Sequence, residues 1–324
     1  MSDLLQTLIN TLALGGLYAL IALGFTLVYG ILRFINFAHS DVVAWGGWLA
    51  FMLASGLGFL AGESWLGLPL VLLLTMGLAA ALGVTIERLA YRPLRKAPRL
   101  NVLITAIGVS LFLQNFGLLD HIPGLSSTQN VFPFGNRPST IRALLGNSVL
   151  AEIGDVQIRL YDVLTILLAV GLVFALERLV YRTKMGRAMR AVSFDERTAA
   201  LMGINVNSVV SITFAIGSAL AAAGGILFAL RNDLRMTADS TWVLLGLKAF
   251  VAAVVGGIGN VRGAAAGALL IAFVEVFLHR YITALASGTA WVGQLQDVYV
   301  FVILIVVLLW RPSGLFGKSA VEKV

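Results

Sequence analysis

Four stretches of this chain, 4–32, 42–62, 64–86 and 100–119, contain no Asp, Glu, Lys, Arg or His. About 17–25 apolar residues suffice to cross the hydrocarbon core of a bilayer as a helix. Only helices and closed barrels satisfy their own backbone there. Further apolar runs cover 161–181, 208–230, 242–259, 262–282 and 296–310, with Gly256-Gly257-Ile258-Gly259-Asn260 between 242–259 and 262–282. The pattern predicts an all-α integral membrane protein, a polytopic bundle of eight or nine transmembrane helices with broken helices. The lower number applies if one glycine-broken segment only dips into the bilayer.

Composition excludes the soluble alternatives. Hydrophobic residues make up 59% of the 324 and charged residues 12%, against about 45–50% and 25% in soluble domains. A soluble enzyme, a disordered chain and a secreted disulfide scaffold are thereby ruled out. With no cysteine, disulfides, Cys-ligated metals and thiol nucleophiles are ruled out too. His39, His121 and His279 lie far apart, so no metal site is expected. The first span follows Asp3 with no Lys or Arg before it, unlike a signal peptide, and is expected to stay in the mature protein.

The net charge of +7 points to orientation in a membrane rather than to nucleic acid. Basic residues gather in 88–99 (Arg88, Arg92, Arg95, Lys96, Arg99), in 178–197 (Arg178, Arg182, Lys184, Arg187, Arg190, Arg197) and in the tail (Arg311, Lys318, Lys323). Cytoplasmic loops carry such an excess, so these three regions share that side. Even numbers of spans separate them only if 242–259 crosses fully. A cytoplasmic C-terminus and an external N-terminus follow. Residues 120–160, with Pro123, Pro133 and Pro138, read as a loop outside the lipid with a short helix near 140–151. One hexapeptide recurs, Glu87-Arg-Leu-Ala-Tyr-Arg92 and Glu177-Arg-Leu-Val-Tyr-Arg182, either as an internal repeat or as two similar interfacial anchors.

Two patterns imitate catalytic motifs. Gly314-Leu-Phe-Gly-Lys-Ser319 ends like a phosphate-binding loop, but Pro312 stands where that loop needs its first glycine. His39-Ser40-Asp41 holds the residue types of a hydrolase triad, yet adjacent helical residues do not face one another. Neither ATP binding nor enzyme activity is expected of this chain.

Polar residues within spans are costly and mark cavities, partners or the bundle interior. Asn36, Phe37, His39 and Asp41 follow Gly30 at a break between two apolar runs. Such breaks expose backbone and polar groups to transported substrates. The alternative is that they cap the second helix, with Asp41 favoured near its N-terminus. Lys248 and Glu275 occupy apolar runs on either side of Asn260. In a hairpin turning there they differ in depth by about 4–5 Å, so a structural ion pair is expected. It would position Gly256, Gly257 and Gly259. A carboxylate that binds the amino group of cargo is the competing role for Glu275.

Gly15-Gly-Leu-Tyr-Ala-Leu-Ile-Ala-Leu-Gly-Phe-Thr-Leu-Val-Tyr-Gly30, running into Ile35-Asn-Phe-Ala-His-Ser-Asp41, closely resembles the N-terminal signature of branched-chain amino acid ABC transporter permeases of the LivH type. Gly186-Arg-Ala-Met-Arg-Ala191 with Ala199-Ala-Leu-Met-Gly-Ile-Asn205 resembles the family's ATPase-docking loop. The segment from Lys248 to Gly263, leading to Glu275, resembles its C-terminal signature. Ser40 stands where the family usually has glycine.

The resemblance implies a single permease domain over 1–324, with an external loop at 120–160 and a cytoplasmic docking loop at 183–207. It implies half of the translocation pathway of an ATP-driven importer in the bacterial inner membrane. Its partners would be a second, LivM-like permease, two ATP-binding cassette ATPases and a periplasmic amino-acid-binding protein. ATP would be used by the partners, with no cofactor in this chain. The expected cargo is branched-chain or other hydrophobic amino acids; urea, amides and aromatic acids are the family's alternatives. A self-sufficient secondary transporter or channel is the reading from another class. Docking falls to Gly186, Arg187, Arg190, Ala191, Phe194, Leu201 and Gly203. The spacing of 191, 194, 198 and 201 predicts one short helix over 188–202 with an apolar stripe. A membrane-surface helix is the other reading.

Overall fold

The computed structural model describes residues 2–56, 66–95, 97–117, 139–140, 148–231, 235–236, 241–285 and 296–317. In chain order these form α1 (Ser2–Leu32), α2 (His39–Gly56), α3 (Gly67–Ile86), a π-helical turn (Glu87–Tyr91) leading into a 3₁₀ turn (Arg92–Leu94), and α4 (Arg99–Gly117). There follow β1 (Ser139–Thr140), β2 (Val149–Ile153), β3 (Val156–Arg159), α5 (Leu160–Arg182), α6 (Lys184–Phe194) and α7 (Glu196–Leu201). The remainder is α8 (Val206–Arg231), β4 (Arg235–Met236), α9 (Thr241–Gly256), α10 (Val261–Leu285) and α11 (Gln296–Trp310).

Six helical stretches among the described residues are long and apolar enough to cross a bilayer: Leu4–Leu32, Gly67–Leu94, Leu100–Gly117, Leu160–Arg182, Val206–Arg231 and Val261–Ile282. Trp242–Gly256 and Asp297–Trp310 are shorter apolar helices. Large side chains such as Ile104 and Phe112 on α4, or Leu167 and Phe174 on α5, are exposed. That costs nothing against lipid tails, which are as apolar as they are. The chain is an all-α multi-pass membrane protein.

The short helix expected near 140–151 is not formed by the described part of that segment. Residues 149–159 are instead the antiparallel hairpin β2–β3. Ile153, Val156 and Ile158 favour extended backbone. Gly154 supplies the positive φ, +63°, that a two-residue hairpin turn requires. Residues 118–138 and 141–147 of the expected external loop lie outside the described residues.

The chain divides into two compact units. One comprises 27–147 and 178–246. Its centre is α8, against which α2 and α3 pack. Small residues permit that approach: a Cβ on Gly83 would meet the Ser218 Cβ at 2.7 Å, and one on Gly46 the Ala222 Cβ at 2.8 Å. A Cβ on Gly225 would collide with the carbonyl of Val43. The amphipathic α6 and α7 lie on the same unit through buried Met189, Val192 and Ala199, which cluster with Val209 of α8.

The other unit comprises 1–26, 148–177 and 247–324. Gly15 of α1 faces Leu269 and Ala272 of α10, and Gly16 faces Ala169 of α5 at 2.8 Å from a built Cβ. The α9–α10 hairpin is closer still, since Cβ atoms on Gly263 and Gly267 would strike the backbone of Gly256 and Ala252. The small residues of Gly263-x-x-x-Gly267 form this contact.

Candidate functional site

The break between α1 and α2 is built by backbone caps. Arg33 ends α1 with φ +54°, its N–H donating to the Tyr29 carbonyl at 2.8 Å. Left-handed backbone costs a residue with a Cβ roughly 1–2 kcal/mol. Three residues on, the Asn36 carbonyl accepts from the N–H of His39 at 3.2 Å and starts α2. Asn36 Oδ1 accepts the Tyr91 hydroxyl at 2.6 Å. Asn36, His39 and Asp41 are all buried, and Phe37 is half-buried. Asp41 sits in the first turn of α2 with its carboxylate toward Ser110 and Gln114 of α4. Its Oδ2 has no hydrogen-bond partner. Thus the four residues singled out at this junction share one buried stretch of one unit.

The π-helical turn that ends at Tyr91 also carries a network that sequence reasoning missed. Glu87, fully buried, accepts from Arg92 Nε at 3.1 Å and Arg95 Nη2 at 2.5 Å on Oε1. On Oε2 it accepts from Arg92 Nη2 at 2.8 Å and Ser211 Oγ at 2.7 Å. Arg95 Nη1 donates to Asn207 Oδ1 at 2.8 Å. The π-helical turn makes this possible: its i+5 backbone bond from Arg92 to Glu87 brings side chains five apart onto one face. Pro93, lacking an N–H, prevents a regular continuation. The signal available in sequence was a charged hexapeptide closed by a proline. Its echo at 177–182 lies within regular α5, where Glu177 instead pairs with Arg262.

The segment expected to dock is two helices rather than the single one expected over 188–202. Asp195 is extended (φ −153°, ψ 112°) and caps α7, its Oδ1 accepting from the N–H groups of Arg197 at 2.8 Å and Thr198 at 3.2 Å. An Asp cap competes with helix continuation, and here it wins over the apolar stripe. Ala191 is half-buried against the Met189 cluster. Phe194 and Leu201 are 86% and 88% exposed. Gly186 is buried where a Cβ would strike the Val180 carbonyl, so it lets α6 turn back on the end of α5. Arg190 donates to that carbonyl and lies over the Tyr181 ring at 5.5 Å, whereas Arg187 is exposed. Gly203, with φ +82°, closes α7: its N–H goes to the Ala200 carbonyl and that of Ile204 to Ala199, the Schellman arrangement.

In the other unit, Lys248 Nζ lies 2.8 Å from Glu275 Oε1 and 2.6 Å from Asp297 Oδ1. The Tyr18 hydroxyl donates to Glu275 Oε2 at 2.8 Å. Sequence reasoning named Lys248 and Glu275 as a pair but did not bring Tyr18 or Asp297 to them. Nearby in the chain, α9 ends at Gly256 and the turn uses positive φ at Gly257 (+106°) and Gly259 (+90°). Residues 311–317 lie along this turn. Leu315 N–H donates to the Val255 carbonyl at 2.8 Å, Phe316 N–H to Gly256 at 3.1 Å, and Asn260 Nδ2 to the Phe316 carbonyl at 3.0 Å. Gly314, with φ +78°, is within a Cβ's reach of Gly257. Close backbone approach therefore accounts for the glycines of the apparent phosphate-loop ending.

An apolar cleft of about 180 Å³ in this unit is lined by Leu12, Gly15, Gly16, Ala169, Phe174 and Leu269 among others. It offers nothing to an ammonium or a carboxylate, whose burial without partners is strongly unfavourable. Among the described residues, no group of three or more His, Asp or Glu could hold a metal ion.

Residues 7–309 match the family described as branched-chain amino acid transport system / permease component. The chain is 38% identical to the high-affinity branched-chain amino acid transport system permease protein BraD of Pseudomonas aeruginosa, over 99% of this chain and 98% of that one. It is 36% identical to LivH of Escherichia coli K12, over 99% and 97%. A third relative is the probable branched-chain amino acid transport permease LivM of Methanocaldococcus jannaschii, 24% identical over 94% and 92%.

Proposed function

Because the chain belongs to the family of branched-chain amino acid transport permease components, we propose that it is a membrane subunit of an ATP-driven importer for branched-chain or related hydrophobic amino acids. It forms half of the pathway in a bacterial inner membrane, and a second permease supplies the other half. The detectable likeness to a LivM protein supports a partner built on the same plan. A separate protein delivers cargo from outside, and two ATPases bind the cytoplasmic face. Eight or nine crossings, an external N-terminus and a cytoplasmic C-terminus suit the basic loops. Asn36, Phe37, His39 and Asp41 then lie beside the path.

One observation carries this reading. Phe194 and Leu201 stand almost wholly exposed at the ends of two short helices whose other faces are buried. Lys184, Arg187 and Arg197 on the same two helices are exposed too. Apolar side chains anchored on rigid helices and rimmed by charge fit the groove of a protein partner. A secondary transporter requires no such platform.

Phe194→Asp combined with Leu201→Asp tests it. ATPase subunits should no longer co-purify with the permease, while the permease itself still inserts and melts as before. Undiminished co-purification overturns the reading.

A further inference from the structure

We infer that Arg33 is the positioning residue that transmits movement of the docking helices to the break between α1 and α2. The inference rests on the transport function proposed above. Among the described residues, Arg33 is the non-glycine with positive φ. At such a helix end the residue is usually glycine or asparagine, so the backbone alone gives no reason for an arginine. Its side chain does. Arg33 Nη2 donates to the Ser193 carbonyl at 2.9 Å, one of the last carbonyls of α6 and adjacent to exposed Phe194. The guanidinium thus ties the end of a docking helix to the first residue of the break.

The far side of the break is tied as well. Asn36, three residues after Arg33, holds the Tyr91 hydroxyl. Tyr91 closes the π-helical turn that begins with Glu87. Glu87 accepts from Ser211, and its partner Arg95 reaches Asn207. Ser211 and Asn207 lie in the first turns of α8, which starts five residues after α7 ends. Residues 33–36 are therefore held at both ends, by α6 through Arg33 and by the π-helical turn through Asn36, a turn that is itself bonded to the first turns of α8. Left-handed backbone persists at functional sites where surrounding contacts hold it, and the guanidinium contact is what holds Arg33. When a bound ATPase shifts α6, Arg33 moves the break with it.

The test uses the whole transporter, purified with its partner permease and ATPases and reconstituted in liposomes. Leucine is the probe, and leucine uptake and ATP hydrolysis are read in parallel. Arg33→Gly suits the backbone but removes the donor. It should leave assembly and ATP hydrolysis within about twofold of wild type, yet lower leucine moved per ATP about tenfold, inside the usual range for coupling between sites. Arg33→Lys, which keeps a cationic donor, should recover part of that ratio. The chain's lack of cysteine permits a second readout. A cysteine placed at Ile35 should change its rate of thiol labelling between nucleotide states, and Arg33→Gly should abolish the difference. Unchanged leucine per ATP with state-dependent labelling in Arg33→Gly overturns the inference. A variant that cannot assemble also overturns it, because the residue would then be purely structural. A wild-type complex that moves no leucine faults the functional reading itself, which separates the two failures.

Discussion

The Tyr18 hydroxyl donates to Glu275 Oε2 at 2.8 Å while Lys248 occupies the other carboxylate oxygen at the same distance. Glu275 is 3% exposed, and both of its oxygens are engaged. An ion pair in such a setting is weak evidence for stability in itself, yet losing one partner leaves an uncompensated buried charge.

Lys248→Met, which strands the buried Glu275 carboxylate, should accordingly destabilise the protein by about 3–5 kcal/mol, whereas Glu275→Gln leaves Lys248 paired with Asp297 and should cost less. The double variant should be far milder, because Asp297, the remaining partner of Lys248, has a 40% exposed side chain and can be hydrated. Thermal melting of the four proteins in one detergent measures this. Strict additivity of the single effects would show the residues to be uncoupled.

Ser40 and Gly246 form a second coupled pair. A Cβ on Gly246 would collide with the Ser40 Oγ and Cβ and approach its Cα at 2.7 Å. Gly246→Ala should therefore cost roughly 1–3 kcal/mol through overpacking, read as a lower melting temperature. Adding Ser40→Gly removes the two nearest atoms but not the Cα, so partial recovery is expected. Ser40→Gly alone should fold normally.

Asp195 gives α7 a pH dependence of defined sign. Hydrogen bonds from the Thr198 hydroxyl and from the N–H groups of Thr198 and Arg197 hold its carboxyl below the ordinary value of 3.8. A carboxyl lowered in the folded state stabilises above its unfolded pKa and loses that contribution as pH falls through the folded one. Amide exchange at Arg197 and Thr198, normalised for intrinsic rate, should stay protected at neutral pH and accelerate below about pH 4. Asp195→Asn should keep most of the cap and show no such transition.

Most of the helices were legible because the bilayer imposes a length and an apolar run that any reader can count. Local chemistry was less so. In the segment 183–207 the stripe 191, 194, 198 and 201 suggested one helix, although Asp195-Glu196 carried a helix-start signal. A capped start there outcompetes continuation and splits the stripe. The two charged hexapeptides look alike, yet Pro93 after the first forces a π-helical turn and buries Glu87, while the second remains α-helical. Tyr18 and Glu275 are 257 positions apart, and no periodicity announces a partner at that distance. Arg33 was hidden for a different reason: its significance lies in a backbone angle that residue types alone do not encode.

The strap of residues 311–317 along the α9–α10 turn sets an order of assembly. Both helices of that hairpin are synthesised before Leu315 and Phe316, the donors to Val255 and Gly256. Until then those two carbonyls at the end of α9 lack the protein donors they have in the finished fold, and water must serve them. A chain that stops short of Gly314 would keep them so. Completion of this corner of the protein thus waits for residues made after both helices, and a chain truncated before them would carry an open helix end.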